Sequence, residues 1–383
     1  MQNMVTAIDL NTSGIRLVTG YVFQDKVYVL QALVGEPLSV DSNGLFDKKA
    51  CMESIRTLIS MAKSSLHSEL RNFVVLLPPD EFQTNEQIST IFNYGDLITQ
   101  KTYQNLLTVT LRNKKSTDDS YNIYVDPIFF ETEKSGKSKV FPLNANADNL
   151  NMTADVQSIN RVTFEFYSQI FSDLGIEPYL YLVNTFATSS FLSTFNAPLR
   201  FLTLVIDHSS SSLSLMEDRR FLFSKEYPFS LDMLVGESAK RLSLSKERMY
   251  ELLHTFGMRN EEDFTYYTDE KKSLKQIVSV MKESFEVFHP LFEDLEKLDS
   301  THNTDVIFLG DGNKVNGMDS FLSSYLCRPV KIFSPRVMGA RNDIYLPCLG
   351  GIKITSFNYM KKLTENPVNE KHNDFSHSSI SRG

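Results

Sequence analysis

Tryptophan is absent from the 383 residues, cysteine occurs three times, and neither apolar residues nor charges of one sign form a long run. Each shortage removes a class of protein. Cys51, Cys327 and Cys348 are far apart and odd in number, so neither a disulfide framework nor a thiolate zinc site is expected, and a reducing cytoplasm fits. No apolar stretch approaches the roughly 20 residues that a membrane-spanning helix needs. The start, MQNMVTAIDL, has no basic segment ahead of an apolar core, so no signal peptide is expected. Basic residues cluster no further than pairs such as Lys114-Lys115, Arg219-Arg220, Lys271-Lys272 and Lys361-Lys362, and the net charge is −8. Nucleic acid is excluded as a main partner, because neutralising phosphates needs a concentrated basic face.

What is present is the composition of a globular chain, 42% hydrophobic and 22% charged, long enough for two domains or more. The most informative stretch is Leu202–Met216, LTLVIDHSSSSLSLM. An apolar run closes on Asp207, four serines make a turn, and Leu213-Ser214-Leu215 alternates as an outgoing strand should. Val5–Val18 repeats the plan, with Asp9 after a short apolar strand and the turn Asn11-Thr12-Ser13-Gly14. Two aspartate hairpins, one per half, imply a duplicated architecture with something anionic or metallic between the halves.

Around the hairpins the spacing predicts strands at Lys26–Ala32 and Asn72–Leu77, and a helix over Ala50–Leu66. From Glu81 to Asp155 the texture changes to a small α+β insertion: a helix near Ile98–Arg112, strands at Tyr121–Asp126, Ile128–Thr132 and Asn151–Val156, and a polar loop at Glu133–Lys139. A helix over Ile159–Leu174 ends at Gly175, and a strand covers Ile176–Val183. After the second hairpin come a return strand Phe221–Tyr227, helices Leu231–Leu242 and Lys246–Phe256, an acidic loop Asn260–Lys272, and a helix Ser273–Leu298 that Pro290 should kink or split. Strand Asp305–Leu309, the turn Gly310-Asp311-Gly312-Asn313, helix Gly317–Leu326, strand Pro329–Phe333 and a last helix containing Gly350-Gly351 complete the order. The tail Thr364–Gly383 is polar and aperiodic and reads as disordered.

This order resembles the actin/Hsp70/sugar-kinase superfamily, a duplicated ribonuclease H-like α/β fold that binds nucleotide in a central cleft. The resemblance makes Asp9, Asn11, Thr12 and Ser13 the first phosphate hairpin, and Asp207, Ser209, Ser210, Ser211 and Ser212 the second. Gly310, Gly312 and Asn313 would form the adenosine turn. Within the superfamily the place of the insertion is most similar to the division protein FtsA, whose small subdomain 1C lies just before the first connecting helix. The pilus-assembly protein PilM shares that insertion. The resemblance divides the chain into an actin-like domain 1 (residues 1–80, 156–198 and 337–363), the insertion (81–155), domain 2 (199–229 and 305–336), a helical subdomain (230–304) and the tail (364–383).

The chemistry departs from the family at both hairpins. Its first hairpin reads Asp-x-Gly-Thr/Ser, and here Asn11 stands at the glycine. Its second carries glycines where this chain has Ser209–Ser212, and an aspartate where it has Ser214. Tyr250 and Leu253 fall where the family places a glutamate and a lysine near adenine. If those turns require glycine's positive φ, each serine costs on the order of 1 kcal/mol. ATP with Mg²⁺, held by Asp9 and Asp207 through water, is therefore expected to bind weakly or not at all, and catalytic hydrolysis is not expected. His208 is expected in core or rim packing, not as a base.

The resemblance implies a cytoplasmic division scaffold at the inner face of the membrane. Its partner would be the tubulin-like protein FtsZ, met by Arg241, Lys246 and Arg248 of the helical subdomain, with possible self-association into filaments. The tail has no apolar face, so attachment to the membrane would be indirect. A PilM-like adaptor that binds a short peptide at the insertion is the alternative, and a weak ATPase the third.

Overall fold

The computed structural model describes residues 4–41, 44–113, 119–195, 197–259 and 270–363. The expectations for the tail and for most of the loop at 260–272 lie outside the described residues. The chain begins with β1 (Val5–Asp9), β2 (Arg16–Phe23) and β3 (Lys26–Val34), an antiparallel meander. All five residues of β1 are buried, as a central strand covered on both faces demands. Helix α1 (Lys48–Leu66) starts where Asp47 caps the Ala50 N–H, and it turns Cys51, Ile55, Leu58 and Ala62 to the core. β4 (Phe73–Leu77) then pairs parallel to β1.

The insertion is a four-stranded antiparallel sheet backed by one helix. It contains β5 (Gln83–Phe92), α2 (Gln100–Asn113), β6 (Ser120–Thr132), β7 (Ser135–Ser138) and β8 (Asn149–Asn160), in the order β5-β8-β6-β7. Three details differ from the sequence reading. β5, QTNEQISTIF, is too polar to read as a strand and exists because all ten residues pair with β8. The two strands expected around Pro127 are one strand, with a register shift at Pro127/Phe129 that accommodates the missing N–H. Part of the expected polar loop is β7, folded back on β6.

Helix α3 (Arg161–Asp173), β9 (Leu180–Val183) and α4 (Asn184–Leu192) return the chain to the first sheet, whose order is β3-β2-β1-β4-β9. Only the second half of the expected strand Ile176–Val183 joins the ladder, because Pro178 cannot donate there. The second sheet repeats the plan: β10 (Arg200–Ile206), β11 (Ser211–Glu217) and β12 (Arg220–Tyr227) form the meander. Between its halves stand α5 (Leu231–Leu242), α6 (Lys246–Phe256), α7 (Glu270–Ser284) and α8 (His289–Leu298). A single 3₁₀ turn at Phe285–Phe288 separates α7 from α8, with Pro290 in the first turn of the latter. β13 (Asp305–Leu309) and β14 (Val330–Ile332) flank α9 (Met318–Tyr325) and finish the order β12-β11-β10-β13-β14. The last helix, α10 (Leu346–Leu363), crosses back against α4.

Each five-stranded sheet thus has an antiparallel meander, then two parallel strands. The buried apolar residues form three clusters: one built on the first sheet that also takes in Phe201, Met216, Phe221, Ile307 and Leu309 of the second, one between the second sheet and the helices α5–α9, and one inside the insertion. No described helix is long and apolar enough to cross a membrane.

Candidate functional site: the cleft between two aspartate hairpins

The β1–β2 turn folds on its own side chain. The Ser13 N–H donates to Asn11 Oδ1 at 2.9 Å and the Gly14 N–H to the Asn11 carbonyl at 3.0 Å. This Asx turn is available to asparagine and not to glycine, and it uses N–H groups that a phosphate turn would aim outward. In the β10–β11 turn the Asp207 N–H donates to the Ser210 carbonyl at 2.9 Å. Asn11, Ser209, Ser210, Ser211 and Ser212 all keep negative φ. The strain foreseen for serines in glycine geometry is therefore absent, because the turn takes a shape that ordinary residues adopt.

The two turns touch. Thr12 Oγ1 lies 2.6 Å from Ser209 Oγ, and Ser13 Oγ lies 3.1 Å from the same atom. Beneath this bridge sits Arg16, at the position on β2 that pairs with Asp9. Its Nη1 donates to Asp9 Oδ2 at 3.1 Å, and its Nη2 lies 3.6 Å from Asp207 Oδ2 in the other domain. All three side chains are buried. Burial pushes the Asp9 carboxyl up to about 6, against the opposing pull of Arg16, and pushes Asp207 up as well. Burial also works against the Arg16 charge, but Asp9 and Asp207 outweigh it and hold the guanidinium protonated.

The glycine turn closes the third side. Gly310 has φ +89°, and its N–H and the Asn313 amide both donate to Asp343 Oδ2, at 2.8 and 2.7 Å. The Asp311 N–H reaches Asp207 Oδ1 at 3.3 Å. A Cβ at Gly310 would stand 2.5 Å from that same oxygen, which is why glycine is needed here. Gly312 packs on Phe308 and Ile206 in the interior. Ser214 is buried beside Ser189 of α4 at 3.2 Å. Glu226 of β12 lines the cavity with Ser210, Ser211 and Ser212.

The remaining cavity is about 50 Å³. That volume suits a few waters, whereas small-molecule sites run to roughly 300–1,000 Å³. A magnesium-bound triphosphate would meet the three carboxylates that line the cavity (Asp207, Glu226 and Asp343), with a protein cation already between Asp207 and the buried Asp9. In this arrangement the residues present do not fit that group. Among the described residues no cluster of His, Cys, Asp or Glu could hold a metal ion.

At the rim, His208 is half-exposed, and its Nδ1 lies 3.1 Å from the Tyr250 hydroxyl, which also donates to Asp232 at 2.9 Å. Leu253 is in the core of domain 2. The basic residues expected to meet a partner are engaged locally: Lys246 with Asp232 at 2.5 Å, Arg241 with Glu237 at 2.9 Å, and Arg248 with Glu251 at 2.6 Å. Sequence reasoning missed Arg16, Glu226 and Asp343. Arg16 had a signal, since a charge inside the apolar strand run Ile15–Val18 needs a buried partner; Glu226 and Asp343 had none.

A larger concavity lies elsewhere. A groove of about 970 Å³ runs between the insertion and domain 1, with Tyr124 and Phe130 on one wall and Phe186, Ser190, Phe191 and Thr194 on the other.

No family model and no curated protein sequence matches the chain. Solved structures do. The PilM-PilN type IV pilus biogenesis complex matches with a TM-score of 0.56 at 14% identity, covering 94% of this chain and 98% of that one. The ethanolamine utilization protein EutJ from Carboxydothermus hydrogenoformans matches with 0.52 at 13% identity, over 92% and 90%. MreB 5 of Spiroplasma citri bound to AMPPNP matches with 0.52 at 10% identity, over 95% and 99%. The chain has the actin-like ATPase fold. At these identities the likeness carries the fold and not the activity. In the actin-like frame the two aspartate hairpins and the Gly310 turn face one another across the cleft, while the groove lies outside it, against the insertion.

Proposed function

We propose that this chain is an actin-fold adaptor that binds an extended segment of a partner protein in the groove between the insertion and domain 1, without nucleotide turnover. The groove carries the reading. At about 970 Å³ it holds several residues of an extended chain, its aromatic walls suit apolar anchors, and Ser190 and Thr194 supply hydroxyls for a peptide backbone. PilM, solved in complex with PilN, shares the fold and gives a pilus partner as the first candidate. The small, anionic cleft gives an ATPase reading no support. The division of the chain into domains read from the sequence is retained as part of this proposal.

A division role through FtsZ is the second reading, favoured by the place of the insertion before α3. Its contact residues Arg241, Lys246 and Arg248 are each paired with a carboxylate, so an acidic tail would have to displace those pairs.

The two readings separate by titration with overlapping labelled peptides from PilN-like and FtsZ-like proteins of the same genome, followed by fluorescence anisotropy. Saturable binding of a PilN-derived peptide that Ser190→Trp abolishes supports the groove reading. Binding that Ser190→Trp leaves intact, or binding of the FtsZ tail alone, overturns it.

A further inference from the structure

We propose that Arg16 is a built-in fastener that holds the two domains closed, occupying between Asp9 and Asp207 the place that a bound cation would take in an open cleft. Domain closure in two-domain proteins ordinarily waits for a ligand that bridges the two sides. Here the bridging charge is covalently part of the chain. Arg16 belongs to the first sheet and pairs with Asp9 of its own hairpin, yet its other guanidinium nitrogen faces Asp207 of the second sheet.

Three further features make closure the resting state. Thr12 and Ser13 reach across to Ser209. Asp343, which precedes the last helix of domain 1, receives the Gly310 N–H and the Asn313 amide of domain 2. Behind the cleft, Thr185 of α4 meets Ser224 of β12 at 2.7 Å. Of these links only Arg16 carries charge opposite to the carboxylates it joins. Without it Asp9 and Asp207 would face each other buried and without a counter-charge, and they are relieved either by taking up a proton or by separation of the domains, which rehydrates both. The internal cavity, which Arg16 lines, suits a water for Arg16 Nε, since that atom has no hydrogen-bond partner among the described residues.

The consequence is a rigid scaffold whose domain angle does not depend on a ligand's concentration. This inference is independent of the partner reading, because closure is measured on the free protein and peptide binding at a separate groove. The test is hydrogen–deuterium exchange on the full chain, with wild type, Arg16→Met, Arg16→Lys and Asp207→Asn compared after circular dichroism confirms folding. The segments at 207–212 and 310–313 should exchange about tenfold faster in Arg16→Met and in Asp207→Asn. Arg16→Lys should lie between them and wild type. Should Arg16→Met fail to fold, Asp207→Asn decides alone, since it leaves the Arg16–Asp9 pair inside domain 1. Adding Mg-ATP at millimolar concentration should leave wild-type exchange unchanged. Wild-type rates in Asp207→Asn, or protection of both turns by Mg-ATP in the wild type, would overturn the proposal.

Discussion

Replacing Gly350 by alanine places a methyl group in the crossing of α10 over α4, where the two backbones meet. The new Cβ would lie 1.9 Å from the Ala187 carbonyl oxygen and 2.5 Å from its carbon. Ordinary contact begins near 3.4 Å, so the helices must part by about 1.5 Å, and backbone cannot yield as a side-chain tip can. Overpacking of this kind costs about 3 kcal/mol. Alanine's better helix propensity returns about 1 kcal/mol, leaving a net loss of roughly 2 kcal/mol. At a few degrees per kcal/mol for a domain of this size, the melting temperature should fall by about 4–8 °C in scanning calorimetry. Gly351→Ala is the internal control. Its Cβ would meet only the side chains of Leu76 at 3.1 Å and Val74 at 3.3 Å, which can adjust. The control should stay within about 2 °C of wild type, because the same propensity gain offsets a mild crowding. A Gly350→Ala protein that melts with wild type, or a Gly351→Ala protein that falls as far, would refute the reasoning.

Gly310→Ala should destabilise by about 2 kcal/mol or more, since φ +89° and the approach to Asp207 and the Ile206 carbonyl both exclude a Cβ; a denaturant midpoint equal to wild type would contradict this. Asp9 titrates near 6 when folded against an ordinary 3.8, so its stabilising contribution is full below the lower value and is lost as pH rises through the upper one. Two pKa units at about 1.4 kcal/mol each bound that contribution near 3 kcal/mol, so wild type should gain on Asp9→Asn in melting temperature between pH 7.5 and pH 5. Glu226 also lines the cavity, but its side chain is exposed, so the prediction rests on Asp9. A difference that does not change with pH would count against it. Cys51 and Cys348 are buried, and burial raises both thiols, Cys51 to about 12. A thiol reagent should therefore modify Cys327 alone in the native chain and all three cysteines in denaturant, by mass spectrometry.

How much was legible differs from element to element. β1, β4, β10 and β13 were readable because buried central strands are mostly apolar. The helices α5 and α6 were readable to the residue, α6 with the help of its Ser245 cap. β5 was not, since Gln83–Phe92 has no apolar alternation and is held by pairing with β8, which lies more than fifty residues further along. The two hairpins were legible as hairpins, but their chemistry was not. Asn11 and the serines looked like glycine positions under strain, and the backbone had taken another turn geometry. Of the pairs made by Arg241, Lys246 and Arg248, those with Glu237 and Glu251 were open to reading from helical spacing, whereas Glu283 approaches Arg241 from another helix and Asp232 approaches Lys246 from the preceding one, which spacing does not show.

By itself the sequence determined the order of elements, the duplicated plan and the place of the insertion, because apolar periodicity, caps and turn residues are local properties of the chain. Only the tertiary structure decided what stands between the two halves. Asp9 and Asp207 are 198 positions apart in the chain and suggested a shared ligand; folding brings Arg16 between them, and a charge's partner is set by distance in space.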